Sequence, residues 1–268
     1  MEKDLVSVVM ATYNEPSQYI SIAISSILNQ TYRHLELLIA DDSTRQETID
    51  VINDYAAKDN RVKIIRKKEK MGFVPALNHA LREARGEFIA RMDGDDQALP
   101  ERLSLEVAYL KRRPEVSVVG GQMNIMNTEG VITSQRRYPL QGKRLLRWYI
   151  YRNPLAHPTV MFRASNLEEG FYYDERFKKS EDIELWGRYL SKGKAIHNIP
   201  ETVLNFRVVP NMGQKRNHTH FLYNFKARIR AVGLNHFFPY ALCSVMVSLI
   251  YVCIPKMIWN LIYRIENK

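Results

Sequence analysis

The sequence predicts an α/β fold, a mostly parallel sheet flanked by helices, with amphipathic and apolar helices added at the C-terminus. Three observations carry that expectation. Short apolar, β-branched segments alternate four times with amphipathic segments before Arg113. Polar or acidic turns follow the first, second and fourth of these segments. The charge is also split: between Arg207 and Lys268 nine Lys/Arg face one acid, a balance of +8 in a net +10.

Leu5 to Ala11 reads as a buried strand ended by Thr12-Tyr13-Asn14-Glu15-Pro16. Tyr19 to Leu28 has helical apolar spacing. A strand from Leu35 to Ala40 leads through Asp41-Asp42-Ser43-Thr44 into a helix from Glu47 to Ala57. Val62 to Ile65 is a third strand, and after Met71-Gly72-Phe73 a helix runs from Pro75 to Ala84, with Pro acceptable in its first turn. A strand from Glu87 to Ala90, an acidic turn and a helix from Pro100 to Arg112 complete the alternation. Beyond Arg113-Pro114 the rhythm changes. Val116 to Ile125 and Val131 to Ser134 read as longer strands, followed by a helix over Gly142 to Tyr149, the apolar segment Pro158 to Phe162 and a helix from Glu181 to Leu190. The acids all but vanish at Arg207, so residues 1–206 are expected to form the main domain and 207–268 a basic extension with a lid-like loop and membrane-associating helices.

The composition, 46% apolar and 25% charged, is that of a globular protein. Cys243 and Cys253 have neither zinc-ligand nor disulfide-framework spacing, which fits a reducing compartment. The charged start, Met1-Glu2-Lys3-Asp4, is expected to carry no secretory signal. The basic tail is too apolar to suggest nucleic acid and suits an anionic membrane surface better.

Arg91-Met92-Asp93-Gly94-Asp95-Asp96 places three carboxylates in four residues at the end of a buried strand. Such groups repel one another unless a cation intervenes, and a hard divalent ion, Mg²⁺ or Mn²⁺, is the usual solution. Gly94 is expected to let the backbone turn sharply. Thr12, Tyr13, Asn14 and Glu15 could meet a base and ribose, with Tyr13 stacking and Asp41 or Asp42 accepting hydrogen bonds. Local helix capping by Asp42 and Ser43 is the alternative. The turn after the first strand has no glycine, and no Walker lysine motif occurs, so dinucleotide and P-loop readings fail. Glu181-Asp182 opens a helix, where an acid either caps or acts as a general base. His157, between Pro154 and Pro158, is expected in a stiff exposed turn, although a lone His is more often structural, and Trp186 reads as core before ligand platform; both are kept as acceptor-side candidates. Arg and Lys from Arg207 to His218 could clamp a diphosphate.

In order, Val8 to Glu15, Asp41 to Thr44, Gly72 with Ala76-Leu77-Asn78, Arg91 to Asp96 with Pro100-Glu101-Arg102, and Glu181 to Trp186 resemble the motifs of the family-2 inverting glycosyltransferases of bacterial polysaccharide and glycan assembly. The resemblance spans roughly residues 4–210 and implies a glycosyltransferase A fold with a Rossmann-like nucleotide-binding half. It implies that Thr12, Tyr13, Glu15 and Asp42 hold the uridine of a UDP-sugar, that Asp93 and Asp95 bind the metal, and that Asp182, beside Glu181, is the catalytic base. Asn14, Asp41, Gly72, Asn78, Arg91, Gly94 and Arg207 complete the candidate nucleotide-sugar set. One departure stands out: Asp42 runs directly into Ser43 where the family usually has Gly, leaving open which of Asp41 and Asp42 meets the nucleoside. The expected reaction moves one hexosyl or N-acetylhexosaminyl unit to a saccharide acceptor, on a polyprenyl diphosphate by the same resemblance. A sugar nucleotidylyltransferase would need a Gly-rich, basic loop after its first strand, and a non-catalytic nucleotide-sugar-binding subunit would not need Glu181-Asp182.

Phe237 to Pro255 is uncharged over 19 residues, in principle enough to cross a bilayer. Pro239, Ser244 and Ser248 weaken that reading. In Lys256 to Arg264 apolar and basic residues alternate at helical spacing, which suits a helix lying in the interface with Trp259 and Tyr263 at headgroup depth. The expectation is a peripheral or monotopic enzyme on the cytoplasmic face of the inner membrane, with a helical pair packed back on the catalytic domain as the alternative.

Overall fold

A nine-stranded sheet with helices on both faces organises the protein in a computed structural model that describes residues 1–209, 218–232 and 237–253. Strands β1 (Glu2–Thr12), β2 (Leu35–Asp41), β3 (Val62–Ile65) and β4 (Gly86–Asp93) are parallel neighbours in the order β3-β2-β1-β4. Helices α1 (Ser17–Leu28), α2 (Gln46–Lys58) and α3 (Phe73–Glu83) connect them. Strand alternation splits the core in two. Val6, Val8 and Met10 pack with Ile20, Ile24 and Ile27 of α1 on one face. Val9 and Ala11 pack with Leu77 and Leu81 of α3 on the other.

Beyond α4 (Arg102–Arg112) the sheet becomes mixed. β6 (Val116–Met126) lies parallel to β9 (Ala195–Arg207) and antiparallel to β7 (Ile132–Arg136). The short β8 (Met161–Arg163) runs antiparallel between β4 and β6, and β5 (Gln97–Ala98) closes the far edge on β9. The sequence pattern does not reveal β9. Pairing passes from Gly120 with Asn198 to Gln122 with Thr202, so residues 199–201, including Pro200, bulge opposite Gly121. A bulge breaks the period of two on which recognition of a strand depends.

Helices α5 (Gly142–Tyr149), the short α6 (Ser165–Glu168) and α7 (Glu181–Ser191) follow. Helices α8 (His218–Arg230) and α9 (Phe238–Cys253) pack back on the domain. Ala227, Ala231, Phe237 and Ala241 share a core with Tyr149 and Trp186. Gly187 makes the approach possible: a Cβ there would lie 2.5 Å from Ala231 Cβ and 2.6 Å from the Tyr149 hydroxyl. The other side of α9 exposes Leu242, Met246, Leu249 and Ile250. Among the described residues no helix is long and apolar enough to cross a membrane. The basic stretch 210–217 and the alternating segment Lys256 to Arg264 lie outside the described residues.

Candidate active site

Sheet register alone begins the site. Thr12 lies opposite Asp41, and Ala11 opposite Asp93, so the turns after β1, β2 and β4 emerge at one edge. The first two turns are tied together. Thr12 Oγ1 donates to Asp41 Oδ1 (2.9 Å), and Asn14, at φ 60°, accepts at Oδ1 from the Thr44 and Arg45 N–H groups (2.7 and 2.8 Å). Asp41 is buried and also accepts from Ser43 N–H and Arg66 Nε. Burial pushes its carboxyl up, but these bonds outweigh burial and hold it below the usual range. Asp42 is only half-buried and accepts from the Met71 and Gly72 N–H groups (2.9 and 2.6 Å), positioning Gly72 in its left-handed conformation (φ 84°) before α3. Tyr13 is exposed, with Lys70 Nζ 3.1 Å from its ring centroid.

The acidic turn closes over this edge. Asp93, Asp95 and Asp96 each offer a carboxylate oxygen within 4.8 Å of the others. Burial and then the Asp93 charge raise Asp95 to about 6, while burial and the charges of Asp93 and Asp95 raise Asp96. Glu15, whose Oε2 accepts from Tyr13 N–H, is pushed up to about 7 by burial, with Asp95 and Asp93 adding to it. Asp96 Oδ2 is buried without a hydrogen-bond partner. Oxygen donors so crowded and so poorly compensated fit a hard divalent cation. Gly94 is needed for space rather than for a special backbone angle. The backbone turns at Gly94 as expected, but without a positive φ, and a Cβ there would sit 3.1 to 3.4 Å from Ile20, Thr12 and Glu15.

Arg91 joins the two acidic groups. It is buried and ion-paired to Asp93, and its positive field also reaches Asp95, Asp96, Glu181 and Asp182. Its Nε and Nη1 have no hydrogen-bond partner. At the start of α7, after Ser180 in a left-handed conformation, Asp182 accepts from Ile183 N–H (2.8 Å) at Oδ1 and from Asn153 Nδ2 at Oδ2. Burial raises both carboxyls, and the neighbouring Asp182 charge helps push Glu181 up to about 8. Glu181 therefore holds a proton at neutral pH more readily than Asp182, which has donors for its anion.

Four other predicted residues do different work. His157 is not in an exposed turn. It is buried, with Nε2 2.7 Å from the Tyr173 hydroxyl and rings of Phe73, Tyr173 and Trp186 around it, and burial followed by the Arg91 charge keeps it neutral. Trp186 is fully buried, so neither residue can present a surface to an acceptor. Asn78 is also buried, bonded to the Tyr173 backbone and Glu175. Arg207 braces the acidic turn from behind. Its N–H donates to Asp96, its guanidinium donates to the carbonyls of Asp95, Asn127 and Thr128, and it lies over the Tyr19 ring. The residue missed is Asn153. It lies in the flagged proline-rich segment, but only its contact with Asp182 distinguishes it.

An acidic sheet edge and a second acid pair sharing one buried arginine belong to a glycosyltransferase A fold. The S. aureus TarS 1–349 structure in complex with UDP-GlcNAc superposes on 91% of this chain and 71% of its own, with a TM-score of 0.71 at 20% identity. Residues 7–171 match glycosyl transferase family 2, and the chain belongs to that family. The O-antigen biosynthesis glycosyltransferase WbnJ of Escherichia coli is 35% identical over 216 residues, 79% of this chain and 83% of WbnJ. An uncharacterized glycosyltransferase of Methanocaldococcus jannaschii is 28% identical over all of this chain and 96% of its own length.

Proposed function

We propose that this glycosyltransferase moves one sugar, with inversion, from a UDP-sugar to a hydroxyl of a lipid-linked saccharide in cell-surface polysaccharide assembly. The observation that carries this is the juxtaposition across Arg91 of the Asp93-Asp95-Asp96 cluster and the oriented Asp182 carboxylate. The UDP-GlcNAc complex of TarS and the O-antigen role of WbnJ support the donor and pathway class.

The exposed Tyr13 ring stacks on the uracil, and Asp42 accepts from its N–H, because Asp42 is half-exposed and has two backbone donors, whereas Asp41 is buried with donors from Thr12, Ser43 and Arg66. Asp93 and Asp95 would hold Mg²⁺ or Mn²⁺, which would supply positive charge against the departing diphosphate. Asp182 takes the proton of the acceptor hydroxyl. The acceptor hydroxyl oxygen then bonds to the anomeric carbon as the bond from that carbon to the UDP oxygen breaks, and UDP leaves with the electron pair. Attack opposite the leaving group inverts the centre, as in inverting glycoside hydrolysis with a sugar hydroxyl in place of water. Buried Arg91, ion-paired to Asp93, acts through its charge on both acidic groups rather than by touching the donor sugar.

Residues 1–206 form the catalytic part in this reading. The extension from 207 to 268 rests on the cytoplasmic face of the membrane through its positive charge and the apolar face of α9. UDP-sugar turnover should require Mg²⁺ or Mn²⁺ and vanish in Asp95→Ala. Full activity in excess chelator would sink the metal assignment, and pyrophosphate release from UTP and a sugar phosphate would favour a nucleotidylyltransferase.

A further inference from the structure

The chain that carries Glu181 and Asp182 is braced from the C-terminal extension. Asp174 precedes α7 and Glu184 lies in its first turn, so these two carboxylates flank the acid pair in sequence. Arg230, the last residue of α8, reaches both. Its Nη1 is 2.9 Å from Asp174 Oδ2, and its Nε is 3.4 Å from Glu184 Oε1. The same guanidinium lies over the ring of Phe177, 6.0 Å from the centroid. Within the bridged span the backbone passes through Ser180, a non-glycine residue at φ 60°. Such a conformation persists only where its surroundings hold it.

The rest of the last turn of α8 continues the grip. Arg228 is buried, donates to the Tyr149 carbonyl and lies over the Tyr149 ring, 4.8 Å from its centroid. The Tyr149 hydroxyl in turn donates to the Ile183 carbonyl (3.3 Å). Ile183 N–H is the donor to Asp182 Oδ1 (2.8 Å), so one residue links the end of α8, through Tyr149, to the carboxylate of the base. Arg230 is not needed to bury Glu184, because Arg188 of α7 pairs with both of its carboxylate oxygens (2.8 and 2.9 Å). An exposed guanidinium also adds little to global stability. What Arg230 adds is a tie, made from a third element, between the chain before α7 and α7 itself.

Resting on the reading of Asp182 as the base, we propose that Arg230 is a positioning residue for its carboxylate. The extension then sets the geometry of catalysis without touching a reacting atom.

Amide exchange at Ile183, followed by ¹⁵N NMR in the full-length protein, tests this without any substrate. Arg230→Gln should speed exchange at Ile183 about ten-fold or more, while Val9 and Leu38 in the central sheet stay within about two-fold. UDP affinity should also be unchanged. Arg230→Lys keeps the charge but not the fork that spans two carboxylates, so it should fall between wild type and Arg230→Gln. UDP-sugar turnover gives the second measurement. Arg230→Gln should lower kcat about ten-fold at an unchanged donor KM, yet cost no more than about two-fold when added to Asp182→Asn. Unchanged exchange at Ile183, or an equal loss of kcat in both backgrounds, would overturn the proposal. So would faster exchange at Ile183, Val9 and Leu38 alike, which would make Arg230 a global stabiliser. If the wild type turned over no UDP-sugar, the donor reading would fall instead, and the Ile183 comparison would still decide whether Arg230 holds the Asp182 carboxylate.

Discussion

The two acids that open α7 have different partners, and this separates their roles. Asp182 has donors from Ile183 and Asn153, whereas burial and the Asp182 charge favour the protonated form of Glu181. Asp182→Asn should therefore retain UDP binding and lower turnover about 10² to 10⁴-fold. Glu181→Gln, which mimics the protonated acid, should stay within about ten-fold of wild type. A base must be deprotonated, and burial raises Asp182 above its ordinary value, so turnover should fall on acidification sooner than for an exposed carboxylate. The Asn153 hydrogen bond opposes that rise. Asn153→Ala should move the acidic limb of the pH–rate profile to higher pH, and an unmoved limb would separate Asn153 from the base. Residue types with obvious chemistry, such as the Asp93 cluster and Glu181-Asp182, were legible in the sequence. Their supports were not. Arg207 and Asn78 look like ligand contacts until their donors are seen to be spent on backbone carbonyls and neighbouring side chains, and a solitary His157 gives no hint of burial.

At the scale of elements, paired charges fix how strands meet. Glu36 on β2 accepts from Ser7 of β1, Lys63 of β3 and Arg85 before β4. Burial works against its anion, but these donors prevail and bring its carboxyl down to about 2. A carboxyl depressed on folding stabilises the protein above its unfolded pKa, and that contribution is lost as the pH falls towards the folded value. Glu36→Gln should therefore cost about 1–3 kcal/mol at pH 7, a deficit that shrinks between about pH 4.5 and 2 in denaturant titrations against wild type. The four parallel strands and their helices were readable because each is short, apolar and evenly periodic. β9 was not, because its bulge at 199–201 breaks the alternation, and β5 has only two residues whose pairing depends on β9.

Across the whole molecule, the proposed reading assigns chemistry and membrane anchoring to different parts of the chain. Phe237 and Ala241 belong to the core, so removing α9 would damage the fold and confuse any test of the membrane reading. Replacing the exposed Leu242, Met246, Leu249 and Ile250 by Gln removes only the outward apolar face. That variant should lose about ten-fold or more in affinity for anionic liposomes while keeping UDP affinity. Unchanged sedimentation with liposomes would exclude the α9 face as the anchor. The central claim is that Asp182 directs one displacement from the side opposite the departing UDP. Proton NMR of the first sugar product formed from a UDP-α-sugar in the presence of Mn²⁺ tests it most directly. The account predicts the β-anomer before any mutarotation, and an initial α-anomer would contradict it.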